Sequence, residues 1–176
     1  MDRIDHEEAV TRLAVLDRLA RFGPRLAGTP PLGLDLPGSD IDILCHAPDP
    51  AAFADAVWTA FAAHEGFAMR QWTGPRRPVI ASFMAEGWVF ELFGDDRPVE
   101  AQEGWRHFVI ERRLLAIGGA ALHAAVMAWR RRGYGTEPAF ARVLGLAGDP
   151  YAALLDLGAS SDEGLARRLS ERGLAP

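Results

Sequence analysis

Lysine is absent from this 176-residue chain. All 19 basic side chains are arginines, which excludes a Schiff-base lysine and the lysine of a P-loop. Cysteine occurs once, at Cys45. One thiol cannot close an internal disulfide, so a cytoplasmic location is expected. Cys45 ends an apolar run and reads as a small buried residue rather than a catalytic thiol. No apolar run approaches membrane-spanning length, and no membrane association is expected. The acidic stretch Met1 to Val10 lacks the apolar centre of a signal peptide. Basic charge is also in deficit: 24 acidic residues against 19 basic ones leave a net charge of -5. That balance argues against DNA held on a broad basic surface, while leaving room for a local basic pocket.

Hydrophobic residues make up 49% of the chain and charged ones 24%, enough for one cored domain, alone or with a small helical appendage. Asp5 caps an expected first helix that ends at Gly23-Pro24. Short strands are expected at Arg25 to Ala27 and Ile41 to Cys45. Asp49-Pro50 starts a helix running to about His64 and stopping at Gly66. Phe67 to Trp72 reads as a strand and Thr73 to Pro78 as a loop. Val79 to Met84 and Trp88 to Phe93 form an expected hairpin. A long helix is expected over Val99 to Ile117, broken at Gly118-Gly119 and followed by another to Arg132. Thr136, Asp149 and Ser160 mark three further caps. Strands first and helices second make an α+β fold. The expected division is a sheet core over residues 1–97 and a helical region over 98–176, packed as one unit with a cleft between sheet and helices.

The most informative stretch runs from Leu26 to Leu44. Asp40 and Asp42 flank Ile41 within an apolar run, and on a strand such i, i+2 residues share a face. Two carboxylates aimed at one point repel unless a cation joins them, and Mg²⁺ (or Mn²⁺) takes such oxygens together with substrate phosphates. The Gly28-Thr29 turn can offer backbone N–H groups to a phosphate. Glu91 is the one charged residue in Trp88 to Phe93. Buried there, it needs a partner: a metal shared with the aspartates, or an arginine.

Gly28, Thr29, Gly33, Ser39, Asp40 and Asp42 match, in identity and spacing, the signature of the DNA-polymerase-beta-like nucleotidyltransferase superfamily, especially its minimal members. The whole chain resembles an uncharacterised bacterial domain-of-unknown-function family in that superfamily, with Gln102, Arg106, His107 and Glu111 and the Thr136 to Phe140 block matching its later motifs. The resemblance implies a nucleotidyltransferase-like short mixed sheet with a C-terminal helical region. It also implies transfer of a nucleoside monophosphate from a nucleoside triphosphate to a hydroxyl of a protein, RNA or small molecule. Gly28, Thr29, Gly33 and Ser39 would then serve the phosphates, and Asp40, Asp42 and Glu91 would be the metal-binding catalytic carboxylates. Leu32 stands where minimal members often carry a basic residue.

Arg76 and Arg77 are candidates to supply the missing charge, or they are a solvated loop. Gln102, Arg106 and Arg113 fall near one face of the long helix, with His107 and Glu111 adjacent. Gln102, Arg106 and His107 either line the acceptor side, with His107 as general base, or belong to a helix–sheet interface. A different class of function is also open: a nucleotide- or protein-binding regulatory module that keeps the fold without catalysis.

Overall fold

Asp5 caps the first helix in the computed structural model, accepting from the N–H of Glu7 at 2.8 Å. The structure describes residues 3–74 and 76–174. Pro75, within the expected Thr73 to Pro78 loop, and residues 1, 2, 175 and 176 lie outside the described residues. The helix, α1, spans His6–Arg12, and a short helix α2 (Val15–Arg18) follows. Ala14 separates them in a left-handed conformation, φ 47°, which an L-residue rarely adopts. The expected single helix is therefore two. Strands β1 (Arg25–Ala27) and β2 (Asp40–His46) precede helix α3 (Pro50–Phe61). Asp49 caps α3, accepting from Ala51 and Ala52, with Pro50 in the first turn.

Strand β3 (Glu65–Gln71) begins before Gly66, which was expected only to stop α3. Gly66 adopts φ +65°, and the register with the next strand shifts between Glu65 and Ala68. It serves as a bulge inside the strand. Strands β4 (Val79–Ala85) and β5 (Trp88–Asp95) form the expected hairpin. Glu86 and Gly87 both take positive φ, 52° and 79°, as a two-residue turn with right-handed strand twist requires.

The strands assemble in the order β1-β2-β5-β4-β3. Among the described residues, β2 and β5 pair in parallel, and β1–β2, β5–β4 and β4–β3 pair antiparallel. Alternation along the strands gives the sheet two unlike faces. Ile41, Ile43, Phe83, Phe90 and Leu92 are buried with Phe53, Val57 and Phe61 of α3 and with Val15 and Leu19. At Gly94 the backbone is so close to α3 that a Cβ would lie 2.5 Å from the Phe53 ring. The helices cover this face, and the intervening residues, Asp40, Asp42 and Glu91 among them, occupy the other.

Helix α4 (Glu103–Arg130) starts four residues later than expected. Val99–Ala101 is a 3₁₀ turn, and Gln102 is extended, with ψ 140°. Gly119 interrupts α4 with φ 54° and ψ -147°, matching the expected Gly118-Gly119 break. Helices α5 (Thr136–Leu144), α6 (Pro150–Leu157) and α7 (Asp162–Ser170) complete the chain. Ser161, one residue after the expected Ser160, caps α7. Ile110, Leu114, Leu122, Phe140, Leu154 and Leu165 form a second core. Arg113 fastens α7, donating to Asp162 at 2.7 Å and to the Ser160 carbonyl at 2.8 Å.

The chain divides into two compact units: Met1–Pro31 with Pro37–Trp105, and Leu32–Leu36 with Arg106–Pro176. The short segment Leu32–Leu36 thus belongs with the helices. Among the described residues, no helix is long and apolar enough to cross a membrane.

Candidate functional site on the carboxylate face of the sheet

Asp40 and Asp42 alternate with the fully buried Ile41 and Ile43, so the apolar side chains secure the strand and aim both carboxylates at the opposite face. The parallel pairing of β2 with β5 puts Asp42 directly beside Glu91 and Asp40 beside Val89. On the other flank, Ser82 of β4 stands opposite Glu91. All three carboxylate residues are half-buried. Burial pushes the Glu91 carboxyl above the usual range; repulsion from Asp40 adds to this, and Arg70 opposes it. Side-chain charges at Asp40, Glu91 and Arg70 therefore interact across this face.

Gly28 completes the arrangement. Its φ is +79°, and a Cβ built there would land on Asp42 Oδ2. The turn thus brings bare backbone against the Asp42 carboxylate, a space only glycine leaves. Thr29 is half-buried in the same bend, and Ser39 immediately precedes β2.

These groups fit a divalent cation bound with phosphate. Asp42 and Glu91 are adjacent hard oxygen donors, and the missing side chain of Gly28 leaves room for the Asp42 carboxylate. Among the described residues, however, no three His, Cys, Asp or Glu side chains gather closely enough to hold a metal by themselves. Mg²⁺ is often bound by one or two carboxylates, with substrate phosphates and water completing the shell.

Arg70 was not singled out from the sequence. It pairs with Ile80, which pairs with Phe93, so it shares the face of Glu91, two residues before Phe93. Period-2 alternation along β3 could have found it, but the bulge at Gly66 disrupts that pattern. Arg77 instead donates to Gln71 Oε1 at 3.2 Å, while Gln71 donates back to the Arg77 carbonyl at 3.0 Å. Arg70 and Arg77 both line a cavity of about 330 Å³ beside Asp49 and Pro50 at the start of α3. Arg76 is exposed.

Gln102 is not on the long helix face expected for it. Its buried amide donates to the Cys45 carbonyl at 2.9 Å and the Arg97 carbonyl at 3.0 Å. These bonds tie the chain entering α4 to β2. Arg106 is exposed. His107 is buried, with Nε2 donating to the Tyr151 carbonyl at 3.1 Å. Gly33 lies in the segment grouped with the helices.

One turn beyond His107, Glu111 is only 5% exposed. Its Oε1 has no hydrogen-bond partner among the described residues. Burial drives its carboxyl well above the ordinary range; Glu137 adds to the shift and Arg130 opposes it. The folded state thus holds this proton more tightly than the unfolded state. Stability from Glu111 is complete below the unfolded value, about 4.3, and declines as pH rises through the folded one. Glu111→Gln should therefore gain on the wild type with rising pH, by about 1–3 kcal/mol. Urea unfolding at pH 4.5 and pH 8 checks this; an unchanging difference would contradict it.

A family model described as Domain of unknown function (DUF4269) matches residues 8–157. No curated protein matches the chain. Among solved structures, the Cid1 poly(U) polymerase bound to MgGTP is similar at TM-score 0.52 and 15% identity, over 86% of this chain and 50% of that one. A second Cid1 structure, described for RNA terminal uridylyl transferase activity, gives 0.51 and 16%, over 86% and 48%. A chain from the GLD-2/RNP-8 complex gives 0.50 and 11%, over 95% and 61%. The present chain spans about half to three-fifths of those chains. The likeness is one of fold: an α+β nucleotidyltransferase-like mixed sheet with flanking and C-terminal helices.

Proposed function

Because this chain belongs to the DUF4269 family, whose description assigns no activity, we propose its function from the geometry: divalent-metal-dependent transfer of a nucleoside monophosphate from a nucleoside triphosphate to a hydroxyl acceptor. The observation that carries this reading is the Asp42–Glu91 register beside Gly28. Asp40, Asp42 and Glu91 would hold Mg²⁺ or Mn²⁺. When bound, the cation neutralises phosphate charge and eases ionisation of the attacking hydroxyl.

The chain's own groups do the rest. The backbone at Gly28 and Thr29 receives phosphate oxygens, with Gly33 and Ser39 in the same loop. Arg70 supplies positive charge on the carboxylate face, the charge that Leu32 does not provide. The hydroxyl oxygen forms a bond to the α-phosphorus. The bond from that phosphorus to the bridging oxygen breaks, and pyrophosphate leaves with the electron pair. The hydroxyl proton passes to a carboxylate of the same face. The acceptor is a protein, RNA or small molecule; the fold alone does not choose among them.

Incubating the protein with each α-labelled ribonucleoside triphosphate, Mg²⁺ and cell lysate tests the reaction. Label on an acceptor with matching pyrophosphate release is the expected result. Metal-dependent binding without transfer would favour a second reading, a nucleotide-binding module without catalysis. No binding at all would contradict both. Arg70→Ala should weaken triphosphate binding about three- to tenfold, on the order of 1 kcal/mol, more at low salt than at high. Unchanged affinity at low salt would remove Arg70 from the site.

A further inference from the structure

We propose that His123 is a positioning residue for the Gly28–Ser39 loop, acting through the Gly33 carbonyl; the inference rests on the phosphate-binding role proposed for that loop. His123 Nε2 donates to the Gly33 carbonyl at 2.8 Å, across 90 positions of sequence. The carbonyl can only accept, so Nε2 carries the hydrogen, which it does in one neutral tautomer and in the imidazolium.

The loop is otherwise costly to hold in one shape. It carries Gly33 and Gly38 at φ +67° and +90°, and ordering such residues opposes folding. Two further contacts set the surroundings of Gly33. Leu34, the next residue, is fully buried in the helical core with Leu122 and Val126. Arg130 reaches the Leu34 carbonyl at 3.5 Å, the long limit of a hydrogen bond. Leu34 thus anchors by burial, and His123 supplies the short polar bond. Because the peptide is planar and trans, fixing the Gly33 carbonyl also fixes the direction of the Leu34 N–H. The loop is consequently divided: Gly28 and Thr29 belong with the sheet, and Leu32–Leu36 with the helices.

The Gly119 kink bears on this placement. Its non-helical backbone comes four residues before His123, so the half of α4 carrying His123 and Arg130 follows its own direction. The sequence motif contains Gly33 but gives no sign of its partner.

His123→Ala removes the donor, and His123→Gln keeps an N–H at similar reach. Titration of each ribonucleoside triphosphate with Mg²⁺, together with amide exchange over residues 30–38, tests the role. The expected result is about five- to twentyfold weaker binding in His123→Ala, with faster exchange at Leu34. His123→Gln should restore both. Wild-type affinity and exchange in His123→Ala would overturn the proposal alone. Equal loss in His123→Gln would also overturn it, assigning the effect to packing. If the wild type binds no triphosphate with Mg²⁺, the parent reading fails and this role fails with it.

Discussion

Gly28→Ala is expected to weaken metal-dependent triphosphate binding by about 100-fold, near 2.8 kcal/mol, while the protein stays folded. Two effects combine at this position. Alanine at φ +79° bears the strain of a left-handed backbone, about 1–2 kcal/mol. Its Cβ would also land on Asp42 Oδ2, so the carboxylate must turn away or the loop must shift. Gly38→Ala separates the two. Gly38 has φ +90°, but nothing lies within 4 Å of a Cβ built there. It therefore carries strain without the collision. Calorimetry should show both variants modestly destabilised, with only Gly28→Ala losing most of its affinity. Similar affinities in the two would mean that the Gly28–Asp42 approach has no part in binding.

Much of the carboxylate face was legible because it depends on local periodicity. Asp40-Ile41-Asp42 inside an apolar run specifies which side chains share a face, and the isolated Glu91 signals an acid that needs a reason to be buried. The hairpin was equally readable from Glu86-Gly87. What local pattern could not carry was pairing at a distance. The parallel β2–β5 register needs a crossover through α3 and two further strands, so Asp42 beside Glu91 was an expectation conditional on strand order. Arg70 was missed because it lies on the bulged edge strand β3. Arg77 is a phosphate candidate by its place in a glycine-proline loop, yet its side chain bonds to Gln71. Gln102 falls outside the helical spacing because Pro98 precedes a 3₁₀ turn at Val99–Ala101, and its bond to the Cys45 carbonyl fits the interface alternative. The helical partner of Gly33 depends on tertiary packing, which no spacing rule encodes.

The second large effect is expected from Asp40→Asn combined with Asp42→Asn. Asparagine keeps the shape and a carbonyl oxygen, while the pair of substitutions removes two negative charges. With those charges gone, a divalent cation loses its anchoring ligands on β2. The Asp40 change relieves the repulsion this carboxylate exerts on Glu91 in the wild type. Thermal unfolding of the metal-free proteins should show a cooperative transition in both, with the double variant folded at the temperature of the binding measurement. A large drop would mean that the aspartates are structural.

The most direct measurement is isothermal titration of a nucleoside triphosphate into the wild type and the double variant, each with and without Mg²⁺. The account predicts wild-type binding that requires the metal and is weakened at least about 100-fold in the double variant. A double variant that binds the metal–triphosphate complex as tightly as the wild type would contradict it.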